Sequence, residues 1–120
     1  MDDQRLVRQA QAGDRDAFAL LVRQYQSGLR GLVALSIPNR DDVHDLVQEA
    51  FVDAWRGLDG FDPTCPFGPW LRTICRNRVR KFLRDRLPQR RREQALVDEA
   101  LLAARRQART MRRNPARAAR

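Results

Sequence analysis

Apolar residues along this chain recur at three- and four-residue steps, the spacing that puts side chains on one face of an α-helix. Few stretches show the two-residue alternation of a strand, and glycine and proline mark the breaks. Leu6, Val7 and Ala10 share a face in a first segment from Asp3 to about Ala12, which Gly13 ends. Asp14 is placed to cap a second helix, where Phe18, Leu21, Val22, Tyr25, Leu29, Leu32 and Val33 form a stripe up to about Ser36, before Pro38. Asn39 to Asp42 suit the start of a third helix, whose positive end favours carboxylates. Val43, Leu46, Val47, Ala50, Ala54 and Leu58 make its buried stripe, rimmed by Asp45, Gln48, Glu49 and Asp53. Phe51, Val52 and Trp55 give this helix more apolar surface than one core contact requires, unless they pack on a neighbouring helix.

Residues 59–69 hold three prolines and two glycines and must form a loop. A fourth helix is expected from near Pro69 to about Arg86, before Pro88. Leu71, Ile74, Cys75, Val79, Phe82 and Leu83 lie on one side of it, and Thr73, Arg76, Asn77, Arg80 and Arg84 on the other, with Arg72 and Lys81 at the margins. Arg78 falls among the apolar positions, where it must snorkel or pair with a carboxylate of another helix. A fifth helix is expected over Glu93 to Ala108, using Leu96, Val97, Ala100, Leu101 and Ala104, and a disordered basic end over Arg112 to Arg120. The fold class is therefore all-α: a compact bundle of four main helices with a fifth C-terminal helix and a basic tail.

Charge divides the chain more sharply than composition suggests. Residues 1–62 carry 7 basic and 11 acidic side chains, whereas residues 63–120 carry 17 and 4. A basic half points to a nucleic acid or anionic surface, and an acidic half of similar length points to a second, basic partner. No apolar run approaches the roughly 20 residues of a spanning helix, and the chain opens Met1-Asp2-Asp3, so membrane insertion is excluded and a cytoplasmic protein is expected. Two cysteines, Cys65 and Cys75, and one histidine, His44, fall short of a structural metal site, and both thiols are expected reduced, Cys75 as a small core residue. No metal or other cofactor is implied. His44 beside Asp45 lacks a nucleophile, phosphate loop or metal constellation, so no catalytic residue is assigned and the protein is not expected to be an enzyme.

A basic stripe alone is weak evidence, since many such faces are only solvated. Here Asn77 lies among the arginines, and an amide can pair with base edges. Phe61, Phe67 and Trp70 stand in the loop and at the helix start, where rings can stack on unpaired bases or wedge into a duplex; alternatively, Phe67 and Trp70 plug the core where the fourth helix meets the third. Prolines stiffen the loop, lowering the cost of holding a pocket open. Cations, rings and a stiff loop suit DNA whose strands are separating.

These residues resemble region two of the extracytoplasmic-function sigma factors of bacterial RNA polymerase, in the sigma-70 superfamily. Gly13-Asp14-Arg15-Asp16-Ala17-Phe18 with Leu21 and Tyr25 is similar to the opening helices. Asp45-Leu46-Val47-Gln48-Glu49-Ala50-Phe51 with Trp55 resembles the polymerase-binding helix. Phe61-Asp62, Phe67, Trp70-Leu71, Ile74, Arg76-Asn77 and Leu83-Arg84 resemble the promoter-binding segment. The resemblance covers about residues 3–87 and implies a domain over 1–87, followed by a linker or tail over 88–120.

It implies docking on the clamp coiled coil of the largest polymerase subunit through Asp42, Asp45, Gln48, Glu49, Phe51, Asp53 and Trp55. It further implies capture of the minus-ten element, on the non-template strand, by Phe61, Asp62, Thr64, Phe67, Trp70, Arg72, Thr73, Arg76, Asn77, Arg80, Lys81 and Arg84. A base flipped from that strand would meet Phe61, Asp62, Thr64, Phe67 and Asn77, and an anti-sigma factor is a further implied partner. His44 stands where the family usually has an acidic residue, and Lys81 replaces a frequent aspartate. Nothing after Pro88 resembles the region-four helix-turn-helix, which suggests a fragment. The competing reading, a stand-alone helical DNA- or RNA-binding protein, explains the basic half equally well but leaves Asp45 to Trp55 without a purpose.

Overall fold

The computed structural model describes residues 3–86 and 89–113. Among them every regular element is helical: α1 (Asp3–Gln11), α2 (Arg15–Ala34), α3 (Arg40–Gly57), a short 3-10 turn at Leu58–Gly60, α4 (Phe67–Asp85) and α5 (Gln89–Arg113). The chain divides into two compact units, residues 1–81 and 82–120. The domain boundary expected at residues 87 and 88 lies outside the described residues, as does the end of the tail, 114–120.

Local chemistry sets the helix ends. Gly13 takes φ +100°, a left-handed conformation open to glycine, and closes α1. Asp14 then accepts hydrogen bonds from the backbone N–H groups of Asp16 (3.0 Å) and Ala17 (3.2 Å), capping α2. Asn39 caps α3 likewise, accepting from Asp41 (2.9 Å) and Asp42 (3.1 Å). Helix α4 begins at Phe67, two residues before the expected start at Pro69. Pro69 is tolerated there because the first turn needs no intrahelical N–H donors.

The core of the first unit draws on the predicted stripes, joined by Ile37, Phe51, Phe61 and Phe67. Val7 and Ala10 of α1, Leu21, Leu29 and Val33 of α2, Leu46, Val47, Ala50 and Ala54 of α3, and Leu71 and Cys75 of α4 are all buried. Each residue of this kind contributes roughly 1.5–3 kcal/mol for large aliphatic side chains. Burial pushes the Cys75 thiol up from its ordinary value, which keeps it an inert core group, and both cysteines are free.

Arg78, the residue that broke the pattern of the fourth helix, bridges α4 to α3. Its Nη2 donates to Asp53 Oδ1 at 2.7 Å and its Nε donates to Asp53 Oδ2, a two-pronged fork. Its Nη1 stands 3.7 Å from Glu49 Oε2. The hydrogen bond from Arg78, opposed in part by desolvation, holds the Asp53 carboxyl below the usual carboxylate range.

In the second unit Arg84 pairs with Glu99, and the Arg86 guanidinium lies 3.7 Å from the centre of the Phe82 ring. Helix α5 is longer than the expected Glu93 to Ala108. Its predicted stripe is not buried: Leu96, Val97 and Leu101 are each about half exposed. Strong helix formers, Ala, Leu, Arg and Gln, sustain this helix instead of burial.

Because the folded pKa of Asp53 is depressed, the stability it contributes is present above the unfolded carboxylate value near 4 and is lost as pH falls through the folded one. Asp53→Asn should therefore cost about 1–2 kcal/mol at neutral pH, a charged hydrogen bond discounted for partial exposure. Thermal melts of both proteins from pH 7 to pH 2 should show that difference narrowing below about pH 4.

Candidate functional site

The loop between the 3-10 turn and α4 is held from both ends. Gln11 of α1 donates its side-chain Nε2 to the carbonyls of Leu58 (2.9 Å) and Phe61 (2.8 Å), fixing the loop's entry. Asp62 Oδ1 accepts from the Thr64 N–H (2.9 Å) and from the Thr64 hydroxyl (2.6 Å), while Cys65 N donates to Asp62 O (3.0 Å), so the first half of the loop is a side-chain-braced turn. At the exit, Gly68 packs against α2: a Cβ there would come within 3.2 Å of the Tyr25 ring. A larger residue would require the Tyr25 ring and the Arg72 guanidinium to give by a few tenths of an ångström.

An aromatic cluster welds this loop to the bundle. Phe61 lies 4.6 Å from Trp70 and 5.9 Å from Phe67, measured between ring centres, and Phe67 lies 5.5 Å from Tyr25 in an edge-on arrangement. Phe61 and Phe67 are 7% and 2% exposed, so both rings belong to the core: the plug alternative describes Phe67, and the burial of Phe61 was not anticipated. Trp70 is half-buried beside them. Of the rings expected on the polymerase side, Phe51 is also a core residue at 8% exposure, whereas Trp55 remains 38% exposed with its ring edge-to-face on Phe18. Periodicity gave the direction of these side chains but not their depth.

Outward from this plug, α4 exposes Thr73, Arg76, Asn77 and Lys81, with Arg72 and Arg80 partly covered. Thr73 spends its hydroxyl on Pro69 O, 3.0 Å away, inside its own helix. Arg84 is half-covered and paired with Glu99, which neutralises part of the charge assigned to it.

Beside the loop lies a hollow of about 340 Å³, whose walls include Thr64, Pro66 and Phe67 from the loop and helix start, Arg72 from α4, and Asp3 and Tyr25 from α1 and α2. Phe61, Asp62 and Asn77, three of the five residues expected around a flipped base, are not among its lining. Asp3 and Tyr25 are: the sequence reading missed them. Tyr25 donates its hydroxyl to Asp3, and desolvation followed by that carboxylate pushes its pKa from 10 to about 12, so the phenol stays protonated. Tyr25 was placed on the helical stripe, but nothing local marks a partner 22 residues away.

On the other helix, Asp45, Gln48 and Glu49 of α3 are exposed, as is Val52, while Asp53 is drawn into the Arg78 fork. Together with Arg56 and Arg78, the first four line a second hollow of about 350 Å³. Among the described residues no cluster of His, Cys, Asp and Glu could hold a metal ion, and no helix is long and apolar enough to cross a membrane.

The arrangement has known counterparts. The family model for sigma-70 region 2 matches residues 21–88. The ECF RNA polymerase sigma-E factor of Escherichia coli strain K12 is 43% identical over 83 residues, which are 69% of this chain and 43% of the relative. That of Haemophilus influenzae is 39% identical over the same shares. The chain thus spans less than half the length of these relatives. An engineered region 2 of sigmaE, solved in complex with GTAAAA, superposes with a TM-score of 0.66 at 44% identity, covering 69% of this chain and 86% of that one. CnrH, solved in complex with the cytosolic domain of CnrY, superposes with a TM-score of 0.63 at 39% identity, over 68% of this chain and 53% of that one. Sequence and fold agree: this chain belongs to the sigma-70 region 2 family, among relatives of the extracytoplasmic-function type.

Proposed function

We propose that this chain is the part of a sigma factor that docks on core RNA polymerase and takes up the minus-ten promoter element, on the non-template strand, as the duplex opens. The observation that carries the reading is the pairing of two chemically opposite surfaces on adjacent helices: carboxylates and exposed Val52 and Trp55 on α3, arginines and Asn77 on α4. A relative with the same fold is solved with GTAAAA. Residues 1–87 carry both surfaces, and 88–120 form a basic extension. Asp45, Gln48, Glu49 and Trp55 meet the clamp coiled coil, with Asp42 at the head of the helix. Arg76, Arg80 and Lys81 hold phosphates, Asn77 reads a base edge, and Trp70 offers a ring at the loop.

Because Phe61 and Phe67 are packed in the core, their role is to fix the loop rather than to stack on DNA. The loop hollow beside Thr64 is the receptor for an unstacked base. The complex of CnrH with a second protein supports an anti-sigma partner as well. The protein acts where polymerase acts, in the cytoplasm, and performs no covalent chemistry.

Charge reversal at Asp45 and Glu49 should lower affinity for purified core polymerase at least about tenfold, since unpairing desolvated charges typically costs 2 kcal/mol or more. The far-ultraviolet circular dichroism should stay helical. Wild-type affinity in that double variant would place the interface elsewhere.

A single-stranded oligonucleotide carrying GTAAAA should bind better than its duplex, whose opening costs a few kcal/mol per unstacked step. Titrating salt should give a steep log–log slope, reduced by about 0.7 in each of Arg76→Ala and Arg80→Ala. Arg84→Ala should change it less, because Glu99 already pairs with that guanidinium. Unchanged slopes in the first two would mean that the stripe is merely solvated.

A further inference from the structure

The hollow beside the loop carries charges of both signs in its wall, and they do not pair. Asp3 of α1 and Arg72 of α4 both line it, yet none of the described ion pairs joins them. Tyr25 holds the first and flanks the second. Its hydroxyl donates to Asp3 Oδ2, and its Cε1, like Arg72 Nη1, lies 3.2 Å from the point that a Cβ on Gly68 would take. With its pKa pushed up to about 12, the phenol remains a donor, so Asp3 is fixed as the acceptor. Asp3 Oδ1 accepts from Gln24 Nε2 at 2.9 Å, which leaves each carboxylate oxygen one further acceptor site. Among the described residues Arg72 has no hydrogen-bond partner, so its donors are open.

A carboxylate at a nucleic-acid face repels phosphate, and its favourable partner there is an N–H group of a base. At about 340 Å³ the hollow is at the small end of the roughly 300–1,000 Å³ range of ligand pockets, which suits one base. We propose that Asp3 and Arg72 determine which base the hollow accepts: Asp3 takes the exocyclic amine of adenine, cytosine or guanine, Arg72 takes the acceptor beside it, and thymine, which has no such amine, is refused. Thymine offers only a ring N–H between two carbonyls, and one of those oxygens would face the carboxylate. Tyr25 is the positioning residue for Asp3. This inference rests on the function proposed above, which brings the unstacked base, and adds specificity from a helix outside the loop and α4.

Removing one amine at a time from the single-stranded GTAAAA oligonucleotide, with hypoxanthine for guanine or purine for each adenine, tests it on the full chain. At one position the loss should weaken binding to the wild type about tenfold, as expected for one base-edge contact, and cost Asp3→Ala almost nothing. Thymine at that position should bind no better than the amine-free base. On the wild type alone, the Tyr25 ring resonances should move with the intact strand and stay near their free positions with that amine-free strand. Arg72→Ala should lower affinity at an unchanged salt slope, because a base contact releases no counterion. No amine-sensitive position, a sensitivity that survives Asp3→Ala, or a slope lowered by about 0.7 in Arg72→Ala would overturn this inference alone. No measurable binding of any of these strands to the wild type would overturn the proposed function, and the inference with it.

Discussion

Helix α4 has one edge that must be dry. Phe67, Leu71 and Cys75 are at most 2% exposed, and they recur at a helical spacing along one line. Once that line is buried, the geometry of a helix decides the rest: Arg76, Asn77 and Lys81 have no direction left but outward. The same buried edge fixes where the helix starts, because Phe67 is part of it. That in turn fixes the exit of the loop, whose entry Gln11 already holds. The proposed nucleic-acid face is thus a consequence of core packing rather than a separate construction.

Placing a basic helix next to an acidic one creates a choice between internal neutralisation and external binding. The structure divides the charges. Asp53 is used internally, in a fork to Arg78 that ties the two helices and lowers its carboxyl. Asp45 and Glu49 remain at the surface of α3, and Arg76 at the surface of α4. Exposed pairs would contribute little to stability in water, so leaving these groups outward costs the fold almost nothing and keeps two faces of opposite sign available.

Much of this was legible in the sequence, for reasons that differ by feature. Caps at Asp14 and Asn39 and the stop at Gly13 are local, involving partners two or three residues away, and could be read directly. The misfit of Arg78 on an apolar face left two outcomes open, snorkelling or a carboxylate partner, and pointed to neither Asp53 nor a separation of 25 residues. The aromatic residues were harder. Phe51, Phe61 and Phe67 were assigned to partners by type and position, and their burial depends on how three helices converge, which a one-dimensional period does not encode. The Tyr25 to Asp3 contact and the hollow it borders were invisible for the same reason. In α5 the pattern identified the helix but overstated its burial, because apolar spacing predicts a face and not what covers it.

The central claim is that two separate surfaces on one small core take two different partners. Amide and side-chain chemical shifts of isotope-labelled protein, followed while adding the single-stranded GTAAAA oligonucleotide, test it most directly. The account predicts that the largest shifts fall on Thr64, Trp70, Arg76, Asn77 and Arg80, with Asp45 and Gln48 nearly unmoved. Largest shifts on α3, or on α5 with the loop and α4 silent, would contradict it.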